Sequence, residues 1–134
     1  KRGYNVVRSY AQSKLANLLF TRELARRLKQ KGSGITVNTA HPGAVGTQMG
    51  VDRDTGFGKT IMRILRLFFL TPEQGARTAV YLATDDSVKD ISGEYFYRCQ
   101  MWRSSKRSHD MQSAGRLFEL SESICGITFE QAMP

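Results

Sequence analysis

Apolar residues recur at helical spacing over residues 6–31, which predicts one long amphipathic helix. Basic residues and the stretch 32–34 (GSG) mark its end, because glycine readily adopts the conformation that stops a helix. A short run rich in β-branched residues follows at 35–41 (ITVNTAH) and predicts a strand. A second helix is predicted over 72–84, because the preceding threonine can cap it and a proline suits its first turn.

Two further elements complete the pattern. The run 92–98 (SGEYFYR) predicts a second strand, and residues 111–123 predict a carboxy-terminal helix. Residues 43–71 are predicted to form a long loop punctuated by glycines. This order of helices and strands is typical of an α/β fold with a parallel sheet. Because two strands make an incomplete parallel sheet, residues 1–134 are predicted to be the carboxy-terminal part of one larger domain.

The composition, 40% hydrophobic and 24% charged, indicates a globular domain and excludes the collagen-like and disulfide-rich classes. Lys and Arg outnumber Asp and Glu by 20 to 12, which gives a net charge of +8. The basic residues cluster at 22–31 and in the tail after residue 98. No nucleic-acid-binding motif accompanies them, so the clusters favour solvated helix faces and predict no nucleic-acid partner.

The remaining compositional signals concern redox state, membranes and metals. Cys99 and Cys125 lack the spacing of a disulfide or metal motif and indicate a reducing compartment such as the cytoplasm. No apolar run approaches the roughly 20 residues that span a bilayer, so no transmembrane segment is predicted in this chain. Membrane association of the whole protein is left open. His41 and His109 have no ligand partners at metal spacing, so no metal is predicted.

The segment 10–14 (YAQSK) carries the first candidate chemistry. It places the phenol of Tyr10 and the ammonium of Lys14 one turn apart on the same helix face. A nearby cation favours the phenolate, so the pKa of Tyr10 is expected to fall from its ordinary value of about 10. Such a tyrosine can act as general acid or base for an alcohol and carbonyl pair. The pair alone is also common on helix surfaces and does not decide the function.

A second motif lies directly after the first predicted strand, where the segment 41–47 reads HPGAVGT. In a doubly wound sheet, ligands bind at the carboxyl ends of the strands, and Pro-Gly lets the backbone turn tightly beneath a flat ring. The combination of Y-x-x-S-K, a helix, a strand and P-G-x-x-x-T resembles the short-chain dehydrogenase/reductase family. The runs YAQSKLANLLFTRELARRL, TPEQGARTAVYLAT and SGEYF are similar to its retinol dehydrogenase branch.

This resemblance implies a Rossmann-type doubly wound parallel sheet, of which the chain would supply the carboxy-terminal half. It also implies an NAD(P)-dependent oxidoreductase, with NADP favoured over NAD. Tyr10 would be the proton donor or acceptor, and Lys14 would also bind the nicotinamide ribose. The residues implied to line the nicotinamide are Pro42, Gly43, Val45 and Thr47.

The apolar side chains of the long loop predict an apolar carbonyl or alcohol substrate. The resemblance implies the retinoid, steroid or lipid aldehyde type, and small xenobiotic carbonyls stay open. The loop residues expected to contact it are Phe57, Ile61, Leu65 and Phe68. In the resembled family, the helices that correspond to 6–31 and 72–84 commonly pack against their counterparts in a partner subunit. A homodimer is therefore implied for the complete enzyme.

Four features of the family are absent from these 134 residues. They are the glycine-rich phosphate loop, the serine that precedes the catalytic tyrosine, the asparagine of the proton relay and the residue that selects between the two dinucleotides. The chain alone is therefore expected to be inactive. The alternative hypothesis is a short non-enzymatic binding or assembly protein derived from such an enzyme.

Overall fold

The computed structural model describes residues 5–43 and 70–133. The predicted loop over 43–71 therefore lies almost entirely outside the described residues. The elements are α1 (Val6–Gln30), β1 (Thr39–His41), α2 (Pro72–Thr84), β2 (Tyr95–Tyr97), β3 (Gln100–Met101), α3 (Met111–Cys125) and α4 (Phe129–Ala132), with 3₁₀ turns at Asp86–Val88 and Lys106–His109.

The first two helices begin where the local sequence directs. The Asn5 side chain accepts a backbone hydrogen bond at 3.0 Å in the first turn of α1. At the start of α2, Thr71 and Gln74 form both halves of a capping box. The helices predicted over 6–31 and 72–84 agree with these elements to within one residue.

The sheet contains three strands in the described residues, in the order β1, β2, β3, where the sequence predicts two. β1 is parallel to β2, and β2 is antiparallel to β3. Arg98 and Cys99 join β2 to β3, and their φ values of 51° and 58° identify a two-residue type I′ hairpin. The sequence does not reveal this hairpin, because β3 is too short to show a period and the turn contains neither glycine nor asparagine.

β1 and β2 are shorter than the strands predicted over 35–41 and 92–98. The Asn38 side chain donates a hydrogen bond to the Ile91 carbonyl at 2.7 Å and accepts one from the Glu94 N–H at 3.0 Å. This side chain therefore adds hydrogen bonds between the two segments beside the short ladder.

α1 and α2 lie on opposite faces of the sheet. The Thr39 hydroxyl donates to the Thr21 hydroxyl at 3.0 Å, which places α1 on the Thr39 face. Thr39 pairs with Tyr95, and successive strand residues point to opposite faces, so Phe96 faces away from α1. The Phe96 ring is 1% exposed, and its centroid lies 6.4 Å from that of Tyr81 on α2.

α3 and α4 pack against the carboxyl half of α1 and build a hydrophobic core there. α3 extends the helix predicted over 111–123 by two residues, and α4 was not predicted. The buried core residues and the partly buried ones around them are Leu28, Phe118, Phe129, Leu24, Val37 and Met133.

Basic residues near the end of α1 hold this tail, which corrects the expectation that they form a solvated face. Arg22 donates to the Ser108 carbonyl and to the Ser104 hydroxyl, both at 3.0 Å. The Lys31 ammonium lies 3.1 Å from the Glu130 carboxylate. Their partners are more than eighty residues away in sequence, and neither hydropathy nor spacing in the basic cluster reveals them.

Candidate active site

The direction of α1 decides which end of the sheet carries Tyr10. Thr21 contacts Thr39, whereas Ala25 contacts Gly93, where an added Cβ would lie 3.2 Å from the alanine methyl. Gly93 is level with Val37, because its N–H donates to the Val37 carbonyl at 2.7 Å. Going back along α1 from 25 to 21 thus means going forward along β1. The amino end of α1 therefore points toward the carboxyl ends of the parallel strands.

Tyr10 and Lys14 lie on this amino end of α1. The Lys14 ammonium is 5.2 Å from the centroid of the Tyr10 ring, and Tyr10 is 63% exposed. Within residues 5–43 and 70–133, no hydrogen bond engages the phenol hydroxyl or the ammonium. Both groups are thus available to a ligand, and the cation stands beside the phenol as the four-residue spacing predicts.

Pro42 and Gly43 form a turn directly after His41, the last residue of β1, at the same end of the sheet. Gly43 has a φ of 79°, and its N–H donates to His41 Nδ1 at 2.7 Å. An added Cβ at Gly43 would lie 2.6 Å from a Leu70 methyl and 3.7 Å from the Tyr97 ring. Glycine is required mainly by the left-handed backbone, because the leucine methyl can turn away.

The contact between Thr21 and Thr39 gives a common reference point for the Tyr10–Lys14 pair on α1 and the glycine turn after β1. Tyr10 precedes Thr21 by eleven residues and lies about 16 Å further along the helix axis. Gly43 follows Thr39 by four residues and lies up to about 13 Å further along the strand direction. The phenol and the glycine turn therefore project beyond the same edge of the sheet.

A cavity of about 300 Å³ adjoins the glycine turn, and sequence reasoning did not find its polar lining. Arg77, Arg98 and Cys99 line it beside Pro42 and Tyr97. The sequence signal for these residues is weak. Only the two residues that separate the strand Tyr95–Tyr97 from Gln100 and Met101 indicate a hairpin.

Burial affects one tyrosine beside the turn. Burial raises the pKa of Tyr95, and the neighbouring Tyr97 raises it further. The His41 ring meets both tyrosines edge-on, with centroids 6.0 and 5.1 Å away. Tyr95 therefore stays neutral over the ordinary pH range and supports the strand end as an aromatic packing residue.

The predicted site residues fall into three groups. Tyr10 and Lys14 lie together on α1, and Pro42 and Gly43 lie together after β1. Outside the described residues are Val45, Thr47, Phe57, Ile61, Leu65 and Phe68.

Neither a metal-ligand cluster nor a membrane-spanning helix lies in residues 5–43 and 70–133. These residues contain no group of three or more His, Cys, Asp or Glu side chains that could hold a metal ion. None of their helices is both long enough and apolar enough to span a bilayer.

Comparison with known proteins decides the family. A family model described as Enoyl-(Acyl carrier protein) reductase matches residues 1–98. Retinol dehydrogenase 14 of Homo sapiens is 40% identical over 131 residues, which cover 95% of this chain and 38% of the relative. This chain belongs to the short-chain dehydrogenase/reductase family. The family resemblance carried by the two sequence motifs is therefore confirmed, as is its similarity to the retinol dehydrogenases.

Other short-chain dehydrogenase/reductase relatives give the same picture. Retinol dehydrogenase 11 of Homo sapiens is 37% identical over 127 residues, covering 95% of this chain and 39% of the relative. The crystal structure of an uncharacterized protein from Mycobacterium paratuberculosis superposes with a TM-score of 0.66 at 31% identity. That match covers 96% of this chain and 42% of the other. The α/β, Rossmann-type fold class is confirmed, and the chain spans about two-fifths of the proteins it matches.

Proposed function

We propose that the protein carrying this chain is an NAD(P)-dependent oxidoreductase that interconverts an alcohol and a carbonyl, with Tyr10 as its acid and base. One observation carries the proposal: an exposed Tyr10 beside the Lys14 cation stands at the sheet edge that also bears the glycine turn. The named dehydrogenase activity of the relatives supports the reaction class.

Tyr10 and Lys14 divide the proton chemistry between them. In the reducing direction, the Tyr10 hydroxyl donates its proton to the oxygen of the carbonyl as negative charge develops there. The Lys14 ammonium, 5.2 Å from the ring centroid, stabilises the phenolate that remains. In the oxidising direction the phenolate accepts the alcohol proton. When bound, the nicotinamide supplies or accepts the hydride.

The residues present fit a nicotinamide at this edge. The left-handed Gly43 turns the backbone sharply at the strand end where the ring would lie. Pro42 and Gly43 would line the ring, and Lys14 would bind the ribose. Val45 and Thr47 complete the proposed lining by the family motif. NADP is proposed ahead of NAD on the retinol dehydrogenase similarity.

The proposed substrate is an apolar carbonyl or alcohol of the retinoid, steroid or lipid aldehyde type. The names of the retinol dehydrogenase relatives support this class. The apolar residues of the loop proposed to contact the substrate are Phe57, Ile61, Leu65 and Phe68.

We also propose a homodimer for the whole enzyme. Val7 on α1 is 79% exposed and Val80 on α2 is 56% exposed. Ala76, Ala79 and Ala83 are exposed on the same helix as Val80. These apolar positions are consistent with helix faces that a second subunit covers in the assembled protein.

The test of the proposed function follows nicotinamide absorbance with the whole protein that carries this chain. With NADPH, we expect turnover of all-trans-retinal and of a long-chain aldehyde, with higher KM for acetaldehyde. NADH should support less turnover. A protein that binds either dinucleotide but reduces none of these aldehydes and oxidises none of the matching alcohols would contradict the proposal. The 134-residue chain alone should give no turnover, because it contains no glycine-rich phosphate loop.

A further inference from the structure

Five side chains hold the carboxyl half of α1 against the tail, and we call them the clamp: Phe20, Glu23, Arg27, Phe118 and Glu122. The Phe20 and Phe118 rings stack with centroids 4.9 Å apart and an interplanar angle of 18°. The Arg27 guanidinium carbon lies 4.2 Å from the Phe118 centroid. These distances leave no room for both groups on one face of the ring. The Phe118 ring of α3 therefore lies between Phe20 and Arg27, which are two turns apart on one face of α1.

Carboxylates fix the plane of the Arg27 guanidinium. Its Nε donates to Glu23 at 2.8 Å, and its Nη1 lies 3.6 Å from Glu122. Glu23 is 2% exposed and also accepts two hydrogen bonds from Arg26, at 2.8 and 2.6 Å. Hydrogen bonding from Arg26 lowers the pKa of the Glu23 carboxyl, against the opposing effect of burial. Glu23 therefore stays ionised at neutral pH and holds the Arg27 guanidinium over the Phe118 ring.

The clamp and the candidate active site lie at opposite ends of one helix. Tyr10 precedes Arg27 by seventeen residues, which is about 25 Å along the helix axis. A tilt of about two degrees at the clamp thus displaces Tyr10 by about 1 Å, and a displacement of that size can cost about 10²-fold in rate. Among the described residues, the side-chain contacts that hold α1 against the tail come from its carboxyl half.

We propose that Arg27 is a positioning residue for the reaction. By stacking on Phe118 and pairing with Glu23 and Glu122, it fixes the direction of α1 and so places the Tyr10 hydroxyl. This inference rests on the proposed function, because it assigns Arg27 an effect that is exerted only through Tyr10.

A double-mutant cycle in the whole protein tests the inference with Arg27→Lys, Tyr10→Phe and the combination. Lysine keeps the charge but loses the planar stack and the fork. Arg27→Lys should lower kcat roughly 10- to 100-fold and leave KM for the carbonyl within about twofold. In the Tyr10→Phe background the same change should alter the residual kcat less than about twofold, because Tyr10 no longer transfers a proton.

Arg26→Lys is the matched control, because Arg26 pairs with the same Glu23 from an exposed position and has no contact with Phe118 among the described residues. It should keep the wild-type kcat. An equal loss in Arg26→Lys and Arg27→Lys would overturn the inference, since charge pairing alone would then explain both. An equal fractional loss with and without the Tyr10 hydroxyl would overturn it as well.

Phe118→Leu provides the same test if Arg27→Lys does not fold, because leucine keeps apolar volume but offers no flat face. It should lower kcat as Arg27→Lys does, and Phe118→Tyr should restore it. Wild-type kcat in a folded Phe118→Leu would contradict the positioning role. If Tyr10→Phe alone keeps wild-type activity, the proposed function fails, which is a different result from an active Arg27→Lys beside an inactive Tyr10→Phe.

Discussion

The amino half of α1, residues 6–17, and its carboxyl half, residues 18–30, have the same helical backbone and opposite surroundings. Described side chains of the amino half are exposed or half-buried, and Tyr10 and Lys14 lie there. The carboxyl half contributes Leu19, Glu23 and other buried residues to the packing against the sheet and the tail. In the described residues, the proposed catalytic pair and the buried packing therefore lie on different turns of one helix.

This difference explains how an exposed pair can have a defined position. A surface tyrosine on an isolated helix would have no fixed place relative to the strand ends. Here the carboxyl half is anchored through Thr21 to β1 and through Arg22 to the tail, and the helix extends that anchorage to Tyr10. Substitutions in the two halves should thus separate stability from activity.

The largest effect on stability is expected from Phe118→Ala. The ring is 4% exposed and contacts Phe20, Arg27 and Phe129, so its removal leaves a cavity in the clamp. We expect a loss of about 3–5 kcal/mol in the free energy of unfolding, measured by urea denaturation of the whole protein. Leu120→Ala on the same helix is the control, because Leu120 is 56% exposed, and it should change stability by less than about 0.5 kcal/mol. Similar losses in both variants would disprove the clamp packing.

The next effect is expected from Glu23→Gln, which weakens hydrogen bonds to Arg26 and Arg27 at a buried position. It should cost about 1–3 kcal/mol near neutral pH. Because the folded-state pKa of Glu23 is lowered, its ionised form stabilises the fold above the unfolded-state value of about 4.3. That contribution is lost as the pH falls through the folded-state pKa. The urea midpoints of wild type and variant should therefore converge in acid, and a pH-independent difference would refute the ion-pair account.

A smaller effect is expected from Gly43→Ala, with Gly32→Ala as its matched control. Both glycines have left-handed backbone, with φ of 79° and 69°, and Gly32 has open space around it. Each substitution should cost about 1 kcal/mol of stability. Only Gly43→Ala should also weaken NADPH binding, measured by calorimetric titration of the whole protein. Equal dinucleotide affinities in the two variants would remove Gly43 from the proposed nicotinamide site.

The sequence predicts the elements that depend on local signals. Three features are each encoded by residues close together in the sequence: the helix over 6–31, the capping box at Thr71 and the Tyr10–Lys14 spacing. The turn at 41–43 is likewise marked by its own proline and glycine. Each of these features follows from helix or turn geometry without knowledge of the tertiary packing.

The clamp could not be predicted in this way. Arg27 and Phe118 lie far apart in sequence, and a basic residue near a helix end normally indicates a solvated face. Glu23 looks like an ordinary helical surface residue in the sequence, yet it is 2% exposed in the fold. β3 was missed for a different reason, because two residues carry no period and the turn at Arg98 uses left-handed residues other than glycine.

The smallest effect on stability and the largest on activity are expected from the same variant, Tyr10→Phe. Tyr10 is exposed and its hydroxyl has no hydrogen bond among the described residues, so the free energy of unfolding in urea should stay within about 0.5 kcal/mol of wild type. Removing a general acid typically costs about 10² to 10⁴ in rate. The decisive measurement is therefore kcat/KM of Tyr10→Phe relative to wild type for carbonyl reduction by the whole protein, with NADPH affinity measured alongside. The account predicts a loss of at least about 10²-fold with nearly unchanged cofactor binding. Retention of more than about a tenth of wild-type kcat/KM, a loss below about 1.4 kcal/mol of transition-state stabilisation, would contradict it.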